Sequence, residues 1–156
     1  MKRIILATLI MVGLCGPALA QDTFHVFKDS AVNVTQPGQL TQIAYLNLVV
    51  VGDYMVVAKT EIQNNGTSNH VTCDLQALDA FGRVTSGDPV STWVAAGKFA
   101  PVALTIVAHS FGCAPESCPL IRVRCGSLWT TQPTNLQVRQ TKITAHKVNG
   151  LQIIGQ

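Results

Sequence analysis

The stretch from position 44 to 78 constrains this chain more than any other, because it reads as two long strands joined by a turn. Its first arm, 54–62, follows a Gly52-Asp53 turn, is apolar on both faces at first, and alternates from Ala58 onward. A strand has this pattern when it leaves a core and emerges at a sheet end. The segment 63–69 supplies turn chemistry, and its Asn65-Gly66 pair accepts positive φ at no steric cost. The second arm, 70–77, puts Val71, Cys73, Leu75 and Ala77 on one face and His70, Thr72, Asp74 and Gln76 on the other. The expectation is a β-hairpin that carries a cysteine into an apolar core.

Alternation recurs along the rest of the chain. Tyr45 and Asn47 oppose Ala44, Leu46 and Leu48; Val102, Leu104, Ile106 and Ala108 alternate with Ala103, Thr105, Val107 and His109. Ile121, Val123 and Cys125 alternate with Leu120, Arg122 and Arg124, and a long strand over 136–148 closes the pattern. The lead-in, 21–39, offers two short strands, 23–27 and 31–34, the second ended by Gln36-Pro37-Gly38. Asp79-Ala80-Phe81-Gly82-Arg83 and Ser86-Gly87-Asp88-Pro89 read as turn clusters around a weak strand, and 90–95 carries Trp93. No run of ten or more residues has helical period, and there is no internal repeat. Strands spaced in this way with Gly, Pro and Asn turns predict an all-β chain, a single antiparallel β-sandwich or a barrel.

The N-terminus reads as a signal peptide over 1–20. Lys2 and Arg3 form the positive n-region, 4–14 the apolar run, and Ala18-Leu19-Ala20 an Ala-x-Ala cleavage site. The apolar run is shorter than the roughly 20 residues that span a bilayer. Leu14 before Cys15 does not suit a lipobox, so cleavage after Ala20 would remove Cys15 with the signal. Of 156 residues, 136 then remain, a lead-in over 21–39 and a β-sandwich domain over 40–156. Without Lys2 and Arg3, nine basic residues face eight acidic ones, which gives no electrostatic case for nucleic acid or anionic lipid. The predicted location is secreted or periplasmic, with no membrane span.

Four cysteines remain after processing, and in an exported chain that predicts a disulfide framework with three formal connectivities. Cys113 and Cys118 are five apart across a proline-containing loop and can close on each other. Cys73 and Cys125 both lie on apolar strand faces and suit a bridge buried within the sandwich. No paired C-x2-C spacing supports a metal site, and no cofactor motif occurs.

The strands together resemble a loosely defined group of small exported bacterial β-sandwich proteins. The pattern is Gly-x-Tyr-x-Val-x-Ala-Lys at Gly52, Tyr54, Val56, Ala58 and Lys59; Cys-x-Leu at Cys73 and Leu75; Val-x-Cys at Val123 and Cys125; and Thr-Ala-x-x-Val at Thr144, Ala145 and Val148. That resemblance implies a jelly-roll-like sandwich with Cys73 bonded to Cys125, and no known activity. The Cys113–Cys118 loop is an addition to it. An immunoglobulin domain is the rival architecture, but Trp93 follows Cys73 by 20 residues and Val123 stands where the tyrosine corner would be.

Candidate sites are few. Ala108-His109-Ser110-Phe111-Gly112 resembles the nucleophile elbow of small lipases, yet Cys113-Ala114-Pro115 follows where the chemistry needs a helix N-terminus. Of His25, His70, His109 and His146, the last three fall on outward strand positions. Arg122 and Arg124 share an outward face and read as a solvated stripe, while alternation leaves the direction of Lys59 open. The functional expectation is a non-catalytic binding or structural module acting on an unknown protein or envelope component. The alternatives are a proteinase inhibitor that uses Ala114, Pro115, Glu116 and Ser117 as a rigid recognition loop, and a small serine esterase built on Ser110.

Overall fold

A computed structural model describes residues 23–111 and 120–148. Nine strands form: β1 (Thr23–Lys28), β2 (Val32–Val34), β3 (Thr41–Asn47), β4 (Gly52–Asn64), β5 (Asn69–Leu78), β6 (Val84–Val94), β7 (Phe99–Ser110), β8 (Leu120–Gly126) and β9 (Leu136–Val148). They make two antiparallel sheets, β1-β9-β4-β7 with β2 also on β9, and β3-β8-β5-β6. With β1 and β2 counted as one interrupted strand, eight strands fall into two four-membered layers, and successive strands change layer except at the β5–β6 hairpin, which is jelly-roll order. The signal-peptide expectation, the 1–20 stretch, lies outside the described residues.

The core is what the alternation predicts. Tyr54, Val56, Ala58 and Ile62 of β4, Leu104 and Ile106 of β7 and Ile143 and Ala145 of β9 face Val71, Cys73 and Leu75 of β5 and Ile121, Val123 and Cys125 of β8. Both strands expected in the lead-in form, and both pair with β9 as members of the five-stranded sheet. Phe24, Val26 and Val32 pack against the core from there.

The hairpin expectation fails. β4 and β5 lie in opposite sheets, and the segment between them is an arch from one layer to the other. Two apolar inner faces satisfy alternation equally well whether the strands pair side by side or stack face to face. The arch is organised by Asn64, which is 1% exposed. Its Nδ2 donates to Thr67 O at 2.7 Å and Val94 O at 2.9 Å, and its Oδ1 accepts from Gly66 N at 2.9 Å. Its backbone bonds Lys98 and Gly97 in the turn after β6, where Gly97 takes φ 69°. Positive φ is absent at Asn65 and Gly66, so the conformation expected of that pair is not adopted.

The turn cluster expected at Ser86-Gly87-Asp88-Pro89 is also wrong, since all four residues lie inside β6. β6 is an edge strand, and an edge tolerates a proline that a central strand cannot. The neighbouring edge belongs to β7, where Thr105 N donates to Asp88 Oδ2 at 2.8 Å. That bond and the two edge prolines, Pro89 and Pro101, leave little open ladder on this side.

β9 changes phase midway. Leu136 and Val138 point inward, then Thr141, Ile143 and Ala145 do, because Gln140 at φ 52° marks a bulge where the β4 register shifts between Lys59 and Glu61. Thr60 meets the polar groups this opens, lying 2.7 Å from Thr141 Oγ1 and donating to Arg139 O at 3.3 Å. At the end of β8, a Cβ on Gly126 would stand 2.0 Å from Gln39 O, so only glycine admits the crossing chain.

Candidate functional site

Cys73 and Cys125 are bonded, and they are register partners on neighbouring strands β5 and β8. The disulfide therefore staples one sheet internally, unlike the inter-sheet bridge of an immunoglobulin domain, and Trp93 lies exposed on an outer face. The Cys113–Cys118 pair and the proposed recognition residues Ala114, Pro115, Glu116 and Ser117 lie outside the described residues. The segment that holds them joins β7 of one sheet to β8 of the other.

Ser110 is fully buried at the inner end of β7, and its Oγ donates to Leu48 O at 2.8 Å. His109, its neighbour, points to the opposite face, where Nδ1 bonds the Asp53 carboxylate and the ring meets Phe111 edge-on at 4.4 Å. Adjacent strand residues cannot share a face, so His109 is not placed to act on Ser110. His146 is also on the outer face. The elbow-like string thus distributes its groups across the sheet.

The arginine stripe is a correction. On the outer face of the four-stranded sheet, Arg122 Nε and Nη2 donate to Gln76 Oε1 at 3.1 and 2.9 Å, and Arg124 Nη2 donates to Asp74 Oδ2 at 2.7 Å. Both guanidiniums are half-buried and tied across the β8–β5 ladder rather than solvated. Burial, and then the neighbouring Arg124, push Arg122 below its ordinary value, which Asp74 partly offsets. On the same face Thr72 Oγ1 lies 2.8 Å from Ser91 Oγ, and His70 meets Trp93 edge-on at 4.8 Å.

The outer face of the five-stranded sheet is different. Register places three rows across β1, β9, β4 and β7: Thr23, His146, Met55, Val107; His25, Thr144, Val57, Thr105; and Phe27, Lys142, Lys59, Ala103. Small side chains at Thr144 and Val57 lie between longer ones, and this leaves an open groove of about 480 Å³. Lys59 settles on this face, exposed, opposite Lys142. Among the described residues, Lys59, Lys142 and His25 have no hydrogen bond or ion pair, while His146 Nδ1 lies 3.2 Å from Thr23 Oγ1. Of the carboxylates on this face, Glu61 makes a long ion pair with Arg139 at 3.6 Å and Asp53 bonds His109. The four histidines do not converge, and among the described residues no three His, Cys, Asp or Glu side chains could hold a metal. The sequence marked each of these residues singly as outward or open. Their gathering into one groove depends on which strands pair, and no local signal carried that.

Family models and curated proteins give no match to this chain. Solved structures do. The chain is similar to a protein of the T13 IBDV viral particle, with a TM-score of 0.61, 8% identity and coverage of 92% of this chain and 35% of that one. It thus spans about a third of the length of that viral chain. It is also similar to the Eiger TNF of S. frugiperda (TM-score 0.50, 13% identity, 87% and 98% covered). The globular domain of zebrafish complement 1qA is comparable (TM-score 0.50, 12% identity, 84% and 99% covered). At these identities the likeness shows the fold: two antiparallel sheets in a jelly-roll-like sandwich.

Proposed function

We propose that this chain is a secreted or periplasmic, non-catalytic binding module that presents the outer face of its five-stranded sheet to a ligand. The groove lined by Lys59, Lys142, His25 and His146 carries the reading, because it gathers ionisable side chains on one sheet face, and Lys59, Lys142 and His25 have no hydrogen bond or ion pair among the described residues. The Cys73–Cys125 disulfide supports an oxidising compartment. Likeness to TNF and complement 1qA domains supports a binding or structural use of the sandwich. The burial of Ser110 and the opposite direction of His109 support a role without acyl chemistry. Kinship with small exported bacterial sandwiches of no known activity belongs to the same proposal.

The test is capture from the native extracellular fraction on immobilised wild type and on a Lys59→Glu, Lys142→Glu variant of matched melting temperature. The wild type retains a ligand that the variant loses. Equal capture by both, or ester turnover that vanishes in Ser110→Ala, overturns the proposal.

A further inference from the structure

Lys59 and Lys142 are register partners on the same outer face of β4 and β9. Like charges directly opposite on paired strands destabilise a sheet, so folding alone gives no reason for the pair. The usual relief is a carboxylate nearby, but Glu61, two residues along β4, makes its long ion pair with Arg139 at 3.6 Å instead. Two lysines thus stand at register-paired positions at one end of a groove, neither with an ion pair or hydrogen bond among the described residues.

The other end is chemically distinct. Thr144 and His25 occupy the next row, and His146 with Thr23 the one after. These are hydroxyl and imidazole groups that donate or accept with neutral polar partners. Along β9 the distance from Lys142 to His146 is about 13 Å, at roughly 3.3 Å per residue. That length fits a ligand of one or two sugar-sized units, with charge at one end and hydroxyls at the other.

Resting on the binding-module reading, we infer that the groove takes a polyhydroxylated compound bearing a phosphate ester. The phosphate lies between Lys59 and Lys142, and the hydroxyls meet Thr144, His25, His146 and Thr23. Lysine serves such a group as a point charge, and two of them match a dianion. A free sugar phosphate and the phosphate of a membrane lipid share this chemistry.

The experiment is calorimetric titration of the processed chain with glucose 6-phosphate, glucose and inorganic phosphate, together with sedimentation on phosphatidylglycerol vesicles. Glucose 6-phosphate binds more tightly than either component alone, and added salt weakens it. Replacing both lysines, Lys59→Gln with Lys142→Gln, lowers affinity about tenfold. Lys98→Gln, in the turn after β6, leaves it unchanged. Without ligand the double variant melts no lower than wild type, and the ligand-induced rise in melting temperature disappears from it. Vesicle binding that glucose 6-phosphate competes away assigns a membrane-borne source to the same site; vesicle binding that it does not compete overturns the inference. Glucose binding as tightly as its phosphate, or no binding by any probe, also overturns it. Neither of these last two results touches the broader reading, which fails if the Lys59→Glu, Lys142→Glu variant keeps native capture or if ester turnover vanishes in Ser110→Ala.

Discussion

The two outer faces of this sandwich differ in how their cross-strand cation pairs are partnered. On the four-stranded sheet, Arg122 and Arg124 are drawn down onto β5 by Gln76 and Asp74, and the ladder below them is stapled by Cys73–Cys125. On the five-stranded sheet, Lys59 and Lys142 face one another with no such partner among the described residues, and no disulfide crosses those strands. Guanidinium groups with planar forks suit the first arrangement, whereas flexible ammonium groups suit an open groove. The lesson is that charge on a sheet face is informative only with its cross-strand partner in hand. One face ties its cations into its own ladder; on the other, Lys59 and Lys142 have no such tie among the described residues.

Four measurements test that contrast. The largest concerns the staple. Cys73→Ala with Cys125→Ala removes a cross-link spanning a sequence separation of 52 and leaves buried space between β5 and β8. It should cost about 2–5 kcal/mol in denaturant unfolding. Hydrogen exchange should speed up first in the four-stranded sheet. Equal loss of protection in β4 and β9 would show that the two layers unfold as one unit.

Next comes the ion pair. Arg124→Met leaves the Asp74 side chain, only 9% exposed, without its cation. A loss of about 2–3 kcal/mol follows, less than for a fully buried pair because the Arg124 side chain is 25% exposed. An unchanged unfolding free energy would make this arginine as dispensable as a surface lysine.

The matching change on the other face, Lys142→Met, should stay within about 0.5 kcal/mol of wild type or stabilise slightly, since it relieves a like-charge pair. A loss above about 1 kcal/mol in the same assay would mean that Lys142 has a structural role and would blunt the comparison.

The smallest effect belongs to the β5–β6 turn. The Arg83 backbone N–H holds the Asp79 carboxyl below its ordinary 3.8; desolvation opposes this, and the Arg83 guanidinium and Phe81 N–H reinforce it. A depressed folded value means that the contribution is complete above the unfolded value and fades as pH falls from about 4 through the folded one. NMR titration should therefore place Asp79 below a free aspartate. In Asp79→Asn the acid arm of the stability profile should flatten slightly.

Strand alternation made much of this molecule legible in advance. The inward sets Val71, Cys73, Leu75 and Ile121, Val123, Cys125 follow from side-chain period alone, and so does the outward direction of His109 and His146. Pro89 misled because local chemistry marks a turn, while the edge position of β6, a tertiary fact, makes the same proline harmless. Arg122 and Arg124 misled because the sequence gives their face but not Gln76 and Asp74 across the ladder.

By itself, then, the sequence determined that this is an all-β chain, which residues line its core, and that Cys73 and Cys125 point inward. The assembled fold was needed to show that β4 and β5 stack in opposite sheets, and that Lys59 pairs in register with Lys142. It also decided that Ser110 turns its hydroxyl to Leu48 rather than to solvent. The reason is physical: period fixes the direction of a side chain relative to its own strand, at short range and at every residue. Strand partnership is fixed by the burial of whole faces against one another, a property that no segment holds alone.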